Sequence, residues 1–443
     1  MTDTDVAPAV PAGPPEAPSG KRRRAWTVTA LLLVFMMINF ADKSVMGLAA
    51  EEIRQDLGLS ASAFGLASSA FFLLFSISGA AVGLLADRVR PKWLILAMAV
   101  LWSVSQAPMA VGGGLAVLVI SRVLLGAAEG PAFPVAQQAT LSWFPNHRRN
   151  LPGALITLGI TLGVLVAAPV LTWVIEHHGW RSAVTAVALA GAVWALLWIS
   201  LGGEGPYAAA PDGSHDVSDA RAGAGSRTVS AQRGIPYRRI LATRTWIGAT
   251  AAYFGTYWVI AFALVWLPSY LQDALGYTSS GSTRVLMLVW GLGGVAVIGQ
   301  ACLTGWLLRR GTASRWARGG VGGVLLLMAA AACLALPLAS AGILTALLLI
   351  AGFGLAGAMS SIAVTTVTEL APADRRGGAL GSMNAVVTTA GLIAPTLIGH
   401  LVDTYGAEGY HYAVLITGAV LLLSGTAALA LIDPDRDARR LSA

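Results

Sequence analysis

Four ionisable residues lie deep within long apolar segments of the sequence. Asp42 and Lys43 are neighbours in the first such segment, and Arg122 and Glu129 occur together in the fourth. A charge at the centre of a bilayer costs roughly 3 kcal/mol or more, so such residues usually face a cavity and serve a function. Ion pairing between helices is the structural alternative. Lysine and arginine attract carboxylates, and a carboxylate in a partly dry site can gain or lose a proton, so an anion site and a proton switch are both feasible here.

The spacing of these residues indicates which of them share a helix face. Arg122 and Glu129 are two helical turns apart with Gly126 between them, so one stripe is expected to present a cation, a gap and a carboxylate to the centre. Asp42 and Lys43 diverge by about 100° around their helix. We therefore expect these two side chains to point at different partners.

The elements that must position these residues are membrane-spanning helices. The 443 residues are 56% hydrophobic and only 12% charged, and the mean hydropathy is +0.69. Apolar runs of roughly 20 residues recur along the chain, as a bilayer requires, without the alternation of barrel strands. The sequence therefore predicts an all-α integral membrane protein with twelve spans, near residues 25–50, 62–86, 92–111, 114–143, 150–176, 181–201, 244–272, 283–308, 317–337, 341–369, 376–402 and 408–432.

The basic residues divide the predicted loops into two sets. Both termini and alternate loops carry most of the Lys and Arg residues, whereas the opposite set has only Arg54, Arg181 and Arg284. Because basic loops stay on the cytoplasmic side, both termini are predicted to be cytoplasmic. Dispersed among apolar spans, these charges also give no reason to expect a nucleic-acid partner.

One long polar stretch divides the twelve spans six and six. We expect a disordered cytoplasmic tail at 1–24, an N-terminal six-helix bundle at 25–201, a cytoplasmic linker at 202–243, a C-terminal six-helix bundle at 244–432 and a cytoplasmic tail at 433–443. Pro145-Asn146-His147-Arg148-Arg149 after the fourth span is echoed by Pro372-Ala373-Asp374-Arg375-Arg376 after the tenth. Two similar halves are typical of a parallel-repeat transporter with its site near the middle of the membrane.

Several other motifs give no support to an enzyme or a cofactor site. Cys302 and Cys333 both lie in apolar runs, and His177 and His178 have no nearby ligand set, so neither disulfides nor a metal site are expected. Residues 352–357 fit the dinucleotide fingerprint in letters but follow no strand, and we interpret them as helix packing. No cofactor and no catalytic residue are predicted.

The loop between the second and third spans carries the first family resemblance. Residues 83–92, Gly-Leu-Leu-Ala-Asp-Arg-Val-Arg-Pro-Lys, resemble the cytoplasmic signature of the major facilitator superfamily. The resemblance implies two pseudo-symmetric six-helix bundles and alternating access around a central site. The cytoplasmic gate residues are then expected to be Asp87, Arg88, Arg90, Arg148, Arg149, Glu369, Arg375 and Arg376.

A second set of motifs resembles the anion:cation symporter family within that superfamily. The set comprises residues 39–43 (Asn-Phe-Ala-Asp-Lys), residues 122–134 of the fourth span, Trp143-Phe144-Pro145, His178-Gly179-Trp180-Arg181, residues 266–271, and Asn384 with Pro395. This resemblance implies that Glu129 and Asp42 carry coupling protons and that Lys43 and Arg122 attract the substrate anion. Where the family commonly has Tyr, Arg and a second Asn, this chain has Phe40, Lys43 and Thr388.

The remaining candidates for substrate binding are Tyr253, Tyr257, Trp258, Asn384 and Thr388. For the three aromatic residues, packing within the membrane is an equally good interpretation. If they do line the site, then together with Phe40 and Thr388 they suit an anion with fewer hydroxyls than a sugar acid.

The sequence as a whole indicates a monomeric multi-pass transporter of the bacterial plasma (inner) membrane, not an enzyme. The expected function is proton-coupled symport of a small organic anion, with the coupling proton and the lipid bilayer as its other partners. A proton-driven exporter of a drug or metabolite with the same fold is the alternative. A third possibility is a transporter-like receptor that binds its ligand without translocating it. Long signalling domains would favour this interpretation, and none is predicted from the sequence.

Overall fold

Twelve helical segments span the described part of the protein. The computed structural model describes residues 19–85, 89–145, 149–207, 236–339, 342–372 and 375–442. Within those ranges, twelve segments are long and apolar enough to cross a membrane, and the secondary structure is helical with no strand. The predicted all-α architecture with twelve spans is confirmed, with most boundaries shifted by only a few residues.

The N-terminal half contains the first six spans. Its helices are α1 (Ser19–Leu48), α2 (Ala50–Leu57), α3 (Ala61–Leu85), α4 (Pro91–Val111), α5 (Leu115–Glu129), α6 (Ala132–Leu141), α7 (Asn150–His178) and α8 (Trp180–Leu201). Within this half α1 packs against α7, and α5 packs against both α3 and α4. The fourth span is broken between α5 and α6, where Pro131 lacks a backbone N–H to continue the hydrogen-bond ladder. Glu129 is therefore the last residue of a helix at mid-span.

The C-terminal half contains the other six spans and is less regular. Its helices are α9 (Tyr237–Leu241), α10 (Arg244–Val265), α11 (Leu267–Ser269), α12 (Ser279–Arg309), α13 (Val321–Ala335), α14 (Ile343–Leu349), α15 (Met359–Leu370), α16 (Arg376–Tyr405), α17 (Ala407–Leu431) and α18 (Pro434–Ser442). Between α14 and α15 the tenth span passes through a π-helical turn, Ile350–Gly354, and a 3-10 turn, Leu355–Ala358. The Thr256 hydroxyl donates to the Ala356 carbonyl at 2.8 Å, which satisfies an acceptor in this irregular stretch.

The repeat noted in the sequence recurs in the structure. Gly179 joins α7 to α8 with φ +77°, and Gly406 joins α16 to α17 with φ +61°, a conformation that favours glycine. Arg149 Nε donates to the Phe144 carbonyl at 2.9 Å, and Arg376 Nε donates to the Ala371 carbonyl at 3.2 Å. Gly179 and Gly406 are separated by the same number of residues as Arg149 and Arg376, and as the two Pro-x-x-Arg-Arg motifs. The two halves are therefore structural repeats.

The segments outside the bundles are partly described. Residues 1–18 and 208–235, which include most of the predicted tail and linker, lie outside the described residues. Helix α1 already begins at Ser19, ahead of the predicted first span. In the linker, α9 places Tyr237 under the guanidinium of Arg375, with 4.8 Å between the guanidinium carbon and the ring centroid. The predicted tail at 433–443 contains α18, which packs on α10 and α15.

A buried carboxylate holds α18 against the start of α10. Asp437 accepts a hydrogen bond from the Thr245 amide at 2.8 Å and one from Arg436 Nε at 3.0 Å. Burial opposes its ionisation, but the bonds from Arg436 and Thr245 prevail and lower the pKa of Asp437. A carboxylate near a helix N-terminus also interacts favourably with the helix dipole.

Replacing Asp437 with asparagine is expected to destabilise the protein at pH 7 by about 1–3 kcal/mol, because the charged acceptor is lost. The lowered pKa means that this stabilisation is present at neutral pH and is lost as the pH falls through the pKa of the folded state. Thermal unfolding of the purified protein at pH 7 and at about pH 2, below the ordinary pKa of an aspartate, measures both effects. Asp435→Asn is the control because Asp435 is exposed on the same helix; an equal loss in both variants contradicts the prediction.

The two bundles meet through α3 with α16, α7 with α12 and α1 with α10. We name the two ends of the bundles by their loops: the Arg/Lys-poor face carries Arg54, Arg181 and Arg284, and the Arg/Lys-rich face is the other one. At the poor face, both carboxylate oxygens of Asp403 accept from the amides of Ala61 and Ser62, each at 2.7 Å.

Three further side-chain pairs join the bundles. Thr172 bonds Thr283 at 2.8 Å and Thr396 bonds Ser69 at 2.8 Å, while Ser76 bonds Thr388 near the middle of α3 and α16. Together with the Asp403 contacts, these bonds close the Arg/Lys-poor half of the molecule.

Candidate functional site

A buried ion pair between the first and fourth spans forms the centre of the candidate site. Lys43 Nζ on α1 bonds Glu129 Oε2, and it also donates to Asn39 Oδ1 at 2.6 Å. The Lys43 side chain is 10% exposed and that of Glu129 is fully buried. Asn39 lies one helical turn before Lys43, so the helix repeat itself brings the amide to the ammonium.

Aromatic rings surround the Lys43 ammonium. Its nitrogen lies 4.8 Å from the ring centroid of Phe40, 5.4 Å from that of Phe71 and 5.7 Å from that of Phe75. Ring faces attract a cation within about 6 Å, and this attraction is larger where water is excluded. The rings therefore help to hold a positive charge here.

Asp42 and Arg122 complete the charged cluster. Both are almost completely buried, and both interact electrostatically with Glu129. The two carboxylate oxygens of Asp42, Nε and Nη2 of Arg122, and the Nδ2 amide of Asn39 have no hydrogen-bond partner among the described residues. Such buried groups usually find a partner in a ligand, an ion, a proton or ordered water, so this concentration of them around one ion pair fits a binding site.

The structure corrects the expectation that Asp42 and Lys43 point at different partners. Glu129 bonds Lys43 and lies within hydrogen-bonding reach of Asp42. The angular argument considered only the Cα positions of neighbouring residues. It failed because the long, flexible lysine side chain can reach around its helix to a carboxylate that lies beside Asp42.

The expected gap at Gly126 is also corrected. A Cβ atom at Gly126 would lie 2.8 Å from the Phe71 carbonyl carbon, and one at Gly130 would lie 2.9 Å from the Phe75 carbonyl carbon. These two glycines let α5 pack directly on the backbone of α3, as small residues spaced four apart commonly do in membranes. The space beside Arg122 and Glu129 is therefore filled by α3.

The C-terminal bundle contributes Tyr253, Tyr257 and Asn384 to the boundary between the bundles. Tyr257 packs edge-on against Phe72 of the other bundle, with ring centroids 6.2 Å apart, and it interacts electrostatically with Glu129. Tyr253 lies next to Tyr257 at 6.0 Å. Asn384 lies near Gly79 of α3 and is half-buried.

Two predicted binding residues make hydrogen bonds between helices. Trp258 is buried, and its indole N–H donates to the Thr417 hydroxyl at 3.1 Å, which fixes it between α10 and α17. Thr388 has no exposed surface and bonds Ser76 across the bundle boundary. Both side chains already use their polar groups within the protein, so the alternative interpretation of Trp258 as a packing residue is the better one.

The predicted gate residues that the structure describes lie near the Arg/Lys-rich face, and the contacts of Arg90, Arg149 and Arg376 lie within one half of the chain. Arg90 lies 4.0 Å from Glu204 within the N-terminal half, and Arg149 and Arg376 each bond a carbonyl slightly earlier in their own half. Asp87, Arg88 and Arg148 lie outside the described residues. The gating role of this group stays a prediction.

Glu369 has a basic partner that the sequence did not single out. Arg318 Nη1 lies 3.0 Å from Glu369 Oε2, and the Ser314 hydroxyl donates to the same oxygen at 3.2 Å. This pairing ties the end of the tenth span to the start of the ninth within the C-terminal half.

Three neighbours of Lys43 were also missed as site residues. Asn39 was not predicted to bind Lys43, although its spacing of four from Lys43 is a usable signal. Phe71 and Phe75 had no such signal, because a run of apolar residues does not reveal which face meets another helix.

An open cavity of about 550 Å³ lies at the Arg/Lys-poor face, away from this cluster. Its lining includes Glu52, Asp56, His178 and Arg181, and Asp56 is already paired with Arg181. Burial is the largest effect on Glu52 and raises its pKa. Among the described residues, no group of three or more His, Cys, Asp or Glu side chains is arranged to hold a metal ion.

The sequence matches the family model of the Major Facilitator Superfamily over residues 31–384, with a further match over residues 315–443. The chain belongs to the Major Facilitator Superfamily. The predicted superfamily membership is therefore confirmed, and the chain is a multi-pass membrane transporter.

The chain is similar in sequence to two named transporters and similar in fold to one solved structure. The chain is 26% identical to the hexuronate transporter of Bacillus subtilis (strain 168), over 91% of this chain and 94% of that protein. It is 29% identical to the probable L-galactonate transporter of Escherichia coli (strain K12), over 99% of this chain and 97% of that protein. A bacterial homologue of the lysosomal transporter Spinster has the same fold, with a TM-score of 0.73 and 17% identity over 94% of this chain and 98% of that chain.

These relatives are organic-anion transporters of the superfamily, as the second family resemblance predicted. Because they are transporters, the prediction that the chain is not an enzyme is confirmed.

Proposed function

We propose that this protein is a proton-coupled symporter that brings an organic carboxylate into a bacterial cell by alternating access. The observation that supports the proposal is the buried pair of Lys43 and Glu129. The Lys43 ammonium is suited to bind a substrate anion, and here it is paired with Glu129. The Glu129 carboxylate is in turn suited to bind a proton. Two relatives with sugar-acid names support a carboxylate as the substrate.

Competition for Lys43 couples the two ligands. When a proton binds Glu129, the carboxyl group becomes neutral and its attraction for the ammonium falls. A substrate carboxylate then takes its place beside Lys43. Removing one partner of a buried ion pair without replacement is costly, so the anion binds well only when the proton has neutralised Glu129.

Asp42 and Arg122 set the charge balance of the site. With both carboxylates ionised, Asp42, Lys43, Arg122 and Glu129 have no net charge. Binding of one proton gives the cluster a net charge of +1. Binding of one substrate carboxylate then returns the net charge to zero. Because Asp42 lies within hydrogen-bonding reach of Glu129, it provides a second position for that proton.

The proposed direction of transport is inward. Basic loops favour the cytoplasmic side, so we propose that the Arg/Lys-rich face is cytoplasmic and that the protein lies in the bacterial inner membrane. The closed Arg/Lys-poor face is then external. Substrate and proton then enter when this face opens and leave through the Arg/Lys-rich face.

Proton movement in proteoliposomes tests the proposal. In the native protein, an inward gradient of glucuronate, galactonate, 4-hydroxybenzoate or another small carboxylate is expected to acidify the lumen. In Glu129→Gln this acidification is expected to fall to the level of empty vesicles. Exchange of labelled substrate for unlabelled substrate is expected to persist, because exchange does not require net proton release.

Glu408→Gln is the matched control, since Glu408 is exposed and pairs only with His411 among the described residues. It is expected to move protons like the native protein. Proton entry that persists in Glu129→Gln removes the coupling role of Glu129. If no acid moves protons and an imposed proton gradient instead expels a neutral or cationic compound, the protein is an exporter.

A further inference from the structure

The wall around the central charges is aromatic on both sides of the bundle boundary. Phe40, Phe71 and Phe75 of the N-terminal half surround the Lys43 ammonium. Across the boundary, Phe40 meets Trp290 of α12 edge-on at 6.4 Å between ring centroids. Phe72 meets Tyr257 in the same way at 6.2 Å.

Charged residues are distributed unequally between the two bundles that enclose the site. All four charges of the central cluster belong to the N-terminal half. The C-terminal half has no Asp, Glu, Lys or Arg in residues 245–272, 285–308, 319–368, 377–402 and 409–432. A second carboxylate on the far end of a substrate would therefore lie in a largely dehydrated place without a cation, which is strongly unfavourable.

Several hydroxyl groups near the boundary are already satisfied within the protein. Ser76 and Thr388 bond each other, Thr388 also donates to the Asn384 carbonyl at 2.8 Å, and Ser78 donates to the Phe75 carbonyl at 3.3 Å. A sugar acid brings four or five hydroxyls, and each one that enters a dry site without a partner weakens binding. The phenylalanine and tryptophan rings offer such hydroxyls no hydrogen-bond acceptor of ordinary strength.

Two buried donors remain open beside the rings. Asn39 Nδ2 and Trp290 Nε1 have no hydrogen-bond partner in the described part of the protein. Asn39 is 2% exposed and its other amide atom bonds Lys43. The Asn39 amide and the Lys43 ammonium, on adjacent turns of one helix, form a two-point site for a single carboxylate. The Trp290 indole N–H can donate a hydrogen bond to one polar substituent on the substrate ring.

We infer that the substrate is an aromatic monocarboxylate, held by its carboxylate at Lys43 and Asn39 with its ring between the aromatic residues of the two bundles. This inference rests on the proposed function and narrows its substrate class. The charge balance agrees with it, because one proton and one carboxylate return the buried cluster to neutrality. Aromatic pairs contribute beyond the area they bury, so the ring adds affinity that a sugar acid cannot gain.

Equilibrium binding to the purified full-length protein tests the inference without interference from acids that cross lipid unaided. Isothermal titration with 4-hydroxybenzoate, glucuronate and phthalate compares an aromatic monoanion, a sugar acid and an aromatic dianion. The hydroxybenzoate is expected to bind at least about tenfold more tightly than either of the others, as one unpaired buried polar or charged group suffices for such a ratio.

Two substitutions test the contribution of the rings. Phe40→Leu and Phe75→Leu are each expected to weaken 4-hydroxybenzoate binding by about three- to tenfold, the range of a lost aromatic contact, and to leave glucuronate binding nearly unchanged. Phe133→Leu is the matched control because Phe133 is 38% exposed on the same bundle. An equal weakening of both acids in the two variants indicates a packing defect and contradicts the inference.

The outcomes separate this inference from the proposed function. If glucuronate binds more tightly than 4-hydroxybenzoate and drives proton entry into proteoliposomes, symport stands and the aromatic substrate class is wrong. Tighter binding of phthalate overturns the restriction to one carboxylate. If none of the three acids binds and no carboxylate moves protons, the proposed function fails and this inference fails with it.

Discussion

Replacing Lys43 with methionine is expected to reduce carboxylate uptake into proteoliposomes by about 100-fold or more. Methionine keeps much of the length of the side chain but removes the ammonium. Breaking a buried ion pair costs roughly 3–5 kcal/mol, and each 1.4 kcal/mol is about a factor of ten in affinity. In the variant, Glu129 can stay protonated, but the substrate carboxylate then enters the site without its cation. The initial rate of uptake of the acid that drives proton entry in the native protein measures the loss.

Two further variants separate the charge of Lys43 from its shape. Lys43→Arg keeps the positive charge and is expected to lose about tenfold or less, because a planar guanidinium fits differently among the rings. Lys21→Met makes the same change at a lysine near the start of the same helix, far from the ion pair, and it is expected to transport normally. Uptake by Lys43→Met within threefold of the native rate would falsify the role of Lys43 in binding the anion.

The fold was predictable because each of its main features has a local signal. Apolar runs of sufficient length specify the spans, and the asymmetry of Lys and Arg between loops orients them. The internal repeat was visible in the paired Pro-x-x-Arg-Arg motifs, and Gly179 and Gly406 extend it to the opposite face. The break within the fourth span also has a local signal, Pro131, although it was not predicted. The break within the tenth span has no such signal, since it involves contacts such as that of Thr256 with Ala356.

The site was predictable only in part. The cost of burying a charge identifies Asp42, Lys43, Arg122 and Glu129 from sequence alone, because the penalty depends only on their depth. Which charges pair depends on side-chain reach and on how closely the helices approach, and neither follows from periodicity. Trp258 illustrates the limit, since only the fold reveals that Thr417 receives its indole N–H.

Replacing Gly65 with leucine is expected to prevent closure of the Arg/Lys-poor face. A Cβ atom at Gly65 of α3 would lie 3.1 Å from the Pro395 carbonyl carbon and 3.3 Å from Thr396 Cα of α16. Backbone atoms cannot rotate away as a side chain does, so the bundles must separate here. Overpacking of this kind costs about 1–3 kcal/mol, and because every cycle includes closure of this face, uptake is expected to fall by about ten- to a hundredfold.

Measuring the distance between the two bundles at the Arg/Lys-poor face tests whether failed closure causes the loss of uptake. Spin labels at Ser60→Cys and Thr404→Cys, with Cys302 and Cys333 replaced by serine, report the separation of the ends of α3 and α16. The Gly65→Leu distribution is expected to shift to longer distances than that of the native chain.

Gly299→Leu is the matched control, because a Cβ at Gly299 of α12 has no described atom within 4 Å. It is expected to retain both the native distances and the native uptake. If Gly65→Leu loses uptake while the label distances stay native, closure of this face is not what the glycine permits. The contact of Gly65 with Pro395 would then serve the stability of the α3–α16 interface in every state of the cycle.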